Sequence, residues 1–165
     1  MIPEFVPYPD SRLSERAAPR PVDASLRATG DRLKAAAIAA SAYGLAAAHI
    51  GETAPVVVVN IAGEAEQRSD LLLFNPRVTG MAEALERGTE GSVSMPGLQV
   101  EIDRPQWVDV AYEDEAGTRQ ARRFEGLAAR IAQHEIEQMN GTFFLSRLSR
   151  LKREMVLKKW KKRAG

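Results

Sequence analysis

Histidine and glutamate stand side by side in Gln133-His134-Glu135-Ile136-Glu137-Gln138, and together they outline half of a metal-dependent hydrolase. On a helix, positions i and i+4 share one face. An H-E-x-x-H helix therefore brings two imidazoles to one ion, and its glutamate takes a proton from the metal-bound water. In this chain the second ligand position is Gln138. A neutral amide is a poor ligand for a catalytic transition metal, which favours imidazole, thiolate or carboxylate. The pattern keeps one ligand, His134, and a base, Glu135. The other histidine of the chain is His49, and cysteine is absent. Disulfides, thiolate metal sites and thiol nucleophiles are thereby excluded.

The elements that must position these residues read as follows. Residues 1–22 hold Pro3, Pro7, Pro9, Pro19 and Pro21 and suggest an extended arm without regular structure of its own. Asp23 suits the cap of a helix running through Leu26, Leu33, Ala37 and Ile38 to about Ala42. Val56-Val57-Val58-Val59-Asn60-Ile61 reads as a buried strand. Leu71-Leu72-Leu73-Phe74 reads as a second, stopped by Asn75-Pro76. Trp107–Tyr112 alternates with period two, and Ala116-Gly117 turns it into Gln120–Phe124 as an antiparallel hairpin. Gly126 introduces the helix that carries His134, and Asn140-Gly141 ends it. A last helix is expected from about Ser146 to Lys162, with Leu148, Leu151, Met155 and Leu157 or Val156 facing inward. Strands between helices make this an α+β fold, with residues 1–165 as one domain.

Composition sets the outer limits. The 165 residues are 44% hydrophobic and 27% charged, ordinary for a soluble globular protein. No apolar run is long enough to cross a bilayer, and the start does not resemble a signal peptide, so a cytoplasmic location is expected. The net charge of +1 hides an asymmetry. Residues 147–165 carry nine Lys/Arg against one acid, whereas 1–146 carry 14 basic and 21 acidic residues. A basic tail on an acidic body points to an anionic partner such as RNA or a membrane surface, or to a solvated helix face.

Three segments then fall into a recognisable order: Gly44-Leu45-Ala46-Ala47-Ala48-His49, Glu90-Gly91-Ser92-Val93-Ser94, and Gln133-His134-Glu135-Ile136-Glu137-Gln138. They resemble the three motifs of the peptide deformylases, G-x-G-L-A-A-x-Q, E-G-C-L-S and Q-H-E-x-D-H. Phe74-Asn75-Pro76 and Gly126–Arg130 fit the same pattern, so the resemblance covers nearly the whole chain. It implies antiparallel sheets around a central helix of the form HExxQ, with an N-terminal helix and a basic C-terminal helix, 146–163. It also implies removal of the formyl group from N-terminal formyl-methionine by a divalent metal, usually iron.

Carried over position by position, the family's metal ligands fall on Ser92, His134 and Gln138, so only His134 keeps the family's residue. Glu135 falls on the general acid/base. His49 stands where the family has the glutamine that binds the formyl oxygen, and the Val93 backbone N–H is its companion. Gly44, Leu45 and Gly91 fall on substrate-binding positions. Ala42 and Tyr43 depart from the family pattern at the edge of the methionine pocket. An alcohol and an amide in place of thiolate and imidazole bind such metals weakly.

The expectation is a deformylase-like protein that is inactive or very weak as a metal enzyme. It would hold no cofactor, or weakly a divalent metal (Fe, Ni or Zn), and would retain binding of N-formylmethionyl peptides. The alternative is an active hydrolase with a metal site rebuilt from His49 and His134 with Glu135 or Gln138. The basic helix, with Trp160 among Lys158, Lys159, Lys161, Lys162 and Arg163, suits contact with the ribosome through its RNA.

Overall fold

The computed structural model describes residues 3–64 and 67–164. In chain order the elements are α1 (Ala24–Ala39), β1 (Gly44–Ala46), β2 (Val56–Asn60), β3 (Asp70–Met81), β4 (Leu85–Ser92), β5 (Met95–Pro105), β6 (Trp107–Glu113), β7 (Arg119–Glu125), α2 (Gly126–Met139) and α3 (Arg150–Ala164). Short 3₁₀ turns cover Ser11–Ser14, Ala47–Ile50 and Phe144–Arg147. One antiparallel sheet runs β1-β2-β3-β6-β7, and β4 pairs with β5 in a separate hairpin.

The run of valines in β2 follows from burial on both sides. Successive side chains of a strand point to opposite faces. Val57 and Val59 pack with Ile131, Ala132 and Ile136 of α2. Val56 and Val58 pack with Leu26, Leu33 and Ala37 of α1. The strand is therefore apolar at consecutive positions, because each face meets a helix. A third cluster joins Met95, Val100 and Ile102 of the β4–β5 hairpin to Phe144, Leu145 and Leu148.

Several sequence expectations are corrected. Asn75-Pro76 does not stop β3; the strand continues to Met81 through a register shift between Phe74 and Arg77. Pro76 lacks a ladder donor and is tolerated at that irregularity, while Asn75, at φ 49°, gives its Nδ2 to Arg20 O. Helix α1 ends at Ala39, and Ile38 is exposed. The arm has regular structure after all, in its 3₁₀ turn at Ser11–Ser14. The last helix starts at Arg150, after a 3₁₀ turn and the extended Leu148. That break resets the helical phase. Leu151 and Met155 are 69% and 63% exposed, whereas Val156 and Leu157 do face inward, packing with Trp160 against the hairpin cluster. Among the described residues, no helix is long and apolar enough to cross a membrane.

Candidate functional site

Helix α2 passes under a cleft of about 570 Å³, within the size range of small-ligand pockets. Its lining brings together Gly44, Leu45, His49, Gly91, Ser92, Val93, His134 and Glu135, residues drawn from all three sequence motifs. Gln138 is not part of that lining. The rim and walls add Phe5 from the arm, Tyr43, Leu98 and Leu127. Close approach of β1 to α2 depends on Gly44: a Cβ there would lie 2.4 Å from Ile131 Cγ2 and 3.1 Å from Glu135 Cγ.

His134 is oriented by a buried carboxylate. Its Nδ1 lies 2.8 Å from Glu90 Oε1, and its ring packs against Phe144 at 5.1 Å between centroids. Glu90 in turn accepts from Arg104 Nη2 at 2.9 Å and Arg130 Nη1 at 2.7 Å. Arg104 also reaches Glu137 at 3.0 Å, and Arg147 pairs with Glu137 from beyond the helix. Burial alone would raise the Glu90 carboxyl, but hydrogen bonds from His134 and Arg104 outweigh it and bring the pKa down to about 2. Burial likewise works against a charged His134. The negative fields of Glu135 and Glu90 and the bond to Glu90 prevail and raise its pKa.

His49 has the opposite environment. It is 1% exposed, and burial with the neighbouring His134 charge pushes its pKa down to about 3, so the ring is neutral near pH 7. Its Nδ1 lies 3.0 Å from Ala46 N. A backbone N–H always donates, so Nδ1 accepts and the ring proton lies on Nε2. Nε2 has no hydrogen-bond partner.

Glu135 is 5% exposed. Burial raises its carboxyl to about 7, with Glu90 adding and His134 and Arg104 opposing. Glu135 Oε1 lies 3.7 Å from His49 Nδ1 and also has no partner. The cleft floor thus pairs a neutral N–H donor with a carboxyl group poised near neutrality.

The remaining motif positions are engaged elsewhere. Ser92 Oγ accepts the Ser94 N–H at 3.1 Å. Gln138 donates its Nε2 to Leu13 O at 2.6 Å, tying α2 to the arm. Just past the same helix end, a Cβ on Gly141 would lie 2.6 Å from Ser14 O, and its φ of 82° suits glycine. Among the described residues, no cluster of three or more His, Asp or Glu side chains is placed to hold a metal ion.

Sequence reasoning missed Arg104, which orients Glu90, and the Leu13 carbonyl, which takes Gln138. An arginine reads as a surface residue until its partner 14 positions away is placed, and a backbone carbonyl carries no residue-type signal. Glu90 and Arg130 stood in the quoted motifs without assigned roles.

Comparison with known proteins agrees with the motifs. The family model described as polypeptide deformylase matches residues 2–154. A protein of Agrobacterium fabrum named peptide deformylase-like is 42% identical over 96% of this chain and 94% of its own length. A peptide deformylase of Mesorhizobium japonicum is 39% identical over 99% of this chain and 93% of its own. The crystal structure of peptide deformylase from Ehrlichia chaffeensis superposes with a TM-score of 0.89 at 32% identity, covering 99% of this chain and 97% of that one.

Proposed function

Since the chain belongs to the polypeptide deformylase family, we propose that it binds N-terminal formyl-methionyl peptides in the α2 cleft and is inactive or very weak as a metal-dependent deformylase. The observation that carries this reading is the employment of Gln138. Its amide nitrogen is bonded to Leu13 O, which leaves at most an amide oxygen, a weak donor for iron, nickel or zinc. Ser92 offers an alcohol that already accepts a backbone N–H. Of the three family ligand positions, His134 is then the single strong donor. This donor set does not suit a catalytic transition metal. A bound metal would lower the pKa of its water from about 15.7 to about 7; without it Glu135 has far less hydroxide to generate.

The rival reading, an active hydrolase with His49 as a replacement ligand, draws support from Glu135, whose carboxyl titrates near neutrality. It is weakened by the His49 tautomer. Ala46 N–H occupies the Nδ1 lone pair, so the proton sits on Nε2 and neither nitrogen offers a lone pair to a metal. The basic helix α3 supports a further part of the proposal, docking on ribosomal RNA in the cytoplasm beside newly made chains. Eight Lys/Arg against one acid within Arg150–Ala164 suit phosphate contacts.

The test is deformylation of formyl-Met-Ala-Ser with iron or nickel supplied, comparing wild type with the Ser92→Cys/Gln138→His double variant. Background turnover in the wild type and a gain of several orders of magnitude in the double variant are expected. Substantial wild-type turnover that the double variant does not improve would overturn the proposal.

A further inference from the structure

Helix α2 has a second functional-looking face, turned away from the cleft. Gln133, Ile136 and Glu137 follow one another at the three- and four-residue spacing of a single helical stripe. They line a second cavity of about 380 Å³, closed on its other side by β3 and β6, and none of them lines the α2 cleft. Gln133 is 5% exposed. Its Nε2 gives hydrogen bonds to Pro105 O at 3.1 Å and to Ala129 O at 3.0 Å. Both amide hydrogens are thereby spent, which fixes the orientation of the amide and leaves Oε1 only to accept. Those two are the bonds its side chain makes among the described residues. A buried acceptor that no donor reaches is rare, and this one belongs to the wall of a cavity.

The rim of the same cavity is cationic. Arg77 lines it, is exposed, and makes no ion pair among the described residues. Arg147 holds Glu137 through Nε and Nη2, which leaves Nη1 to bind elsewhere. Glu137 is the one carboxylate of the wall, and Arg104 shares it at 3.0 Å. Two guanidiniums thus accompany a single acid that a third already neutralises, so a ligand ammonium would be repelled and a carboxylate attracted. Val78, Val108 and Ile136 supply apolar wall for an aliphatic side chain to cover. The cavity therefore asks for a carboxylate, an N–H donor and an apolar side chain. An N-acylated α-amino acid carries all three on one carbon.

We propose that this second cavity binds an N-acylated apolar α-amino acid, free or as the C-terminal residue of a peptide, with its carboxylate on Arg77 and Arg147 and its amide N–H donated to Gln133 Oε1. The site shares no residue with the α2 cleft and stands whatever that cleft binds.

The experiment is methyl NMR of the Val, Leu and Ile side chains during titration with N-acetyl-leucine. Saturable shifts are expected at Val78, Val108 and Ile136, and not at Leu45 or Val93 of the cleft. N-acetyl-leucinamide lacks the carboxylate and 4-methylpentanoate lacks the amide N–H; each should bind at least about tenfold more weakly. Arg77→Met should lose about tenfold for N-acetyl-leucine, whereas Arg77→Lys, which keeps the charge, should stay within about threefold. The Arg77 side chain is exposed, so both variants are expected to fold; thermal melts check this, and the comparison of probes on wild type stands without variants. Tighter binding of N-acetyl-Ala-Ala-Leu than of N-acetyl-leucine assigns the site to peptide ends, and equal or weaker binding assigns it to the free acylated amino acid; either supports the site. Shifts confined to the cleft methyls, the amide bound as tightly as the acid, an Arg77→Met variant that binds like wild type, or no saturable shift with any probe would overturn it.

Discussion

The two histidines of this chain lie in one cleft and live in opposite surroundings. Around His134 the charged groups are partnered: Glu90 takes its ring N–H and is itself held by Arg104 and Arg130. Around His49 the ring faces a carboxyl oxygen it does not bond, and both Nε2 and Glu135 Oε1 stand unpaired. One pole drives its carboxylate down to about 2; the other pushes its carboxyl up to about 7. The contrast separates scaffold from site. A satisfied buried network fixes geometry, whereas perturbed titratable groups lining a cleft mark a candidate site.

The comparison breaks most severely at its satisfied pole. Arg104→Met should cost about 3–5 kcal/mol, because it removes a buried cation from Glu90, which keeps only Arg130 and His134, and leaves Glu137 with Arg147 alone. Urea unfolding at pH 7 measures it, and a cost below about 1 kcal/mol would mean that the network is not structural.

At the other pole the effect depends on pH. The folded pKa of Glu135 lies above that of an exposed glutamate, so its contribution to stability is fully present below about 4.5 and is lost as pH rises through about 7. Glu135→Gln removes that loss. The variant should match wild type at pH 4.5 and exceed it at pH 8 by on the order of 3 kcal/mol. Unfolding curves across that range check the sign, and a wild type that gains on the variant toward pH 8 would reverse the assignment.

Gln138 ranks below both poles in size of effect. Gln138→Ala deprives Leu13 O of its donor and should cost about 1–3 kcal/mol, with faster proteolytic cleavage in the arm. At the small end, Leu151→Gln on the exposed face of α3 should change stability by no more than about 0.5 kcal/mol, whereas Trp160→Ala, in the hairpin cluster, should cost visibly more in the same melts.

The parts of the fold that were legible in sequence are those whose pattern is local. Strand β2 announced itself through consecutive β-branched residues, and β6–β7 through alternation and the turn at Gly117. The β4–β5 hairpin did not, because β4 is largely exposed and its inward residue is the charged Glu90, which gives no hydrophobic period to read. The cleft was visible through motif order, since His49, Ser92 and His134 come from segments far apart in the chain that only a resemblance could bring together. The direction of Gln138 was not. Its partner lies 125 residues away in the arm, and residue type alone cannot say whether an amide faces a cleft or a strap.

Metal per chain is the most direct test of the account. Wild type and His134→Ala would be expressed with iron, nickel and zinc available, purified alike and submitted to elemental analysis. Background metal in both is the result the proposal predicts, since Ser92 and Gln138 offer a transition metal only weak donors. Near-stoichiometric metal in the wild type that disappears in His134→Ala would contradict it and restore the metal enzyme.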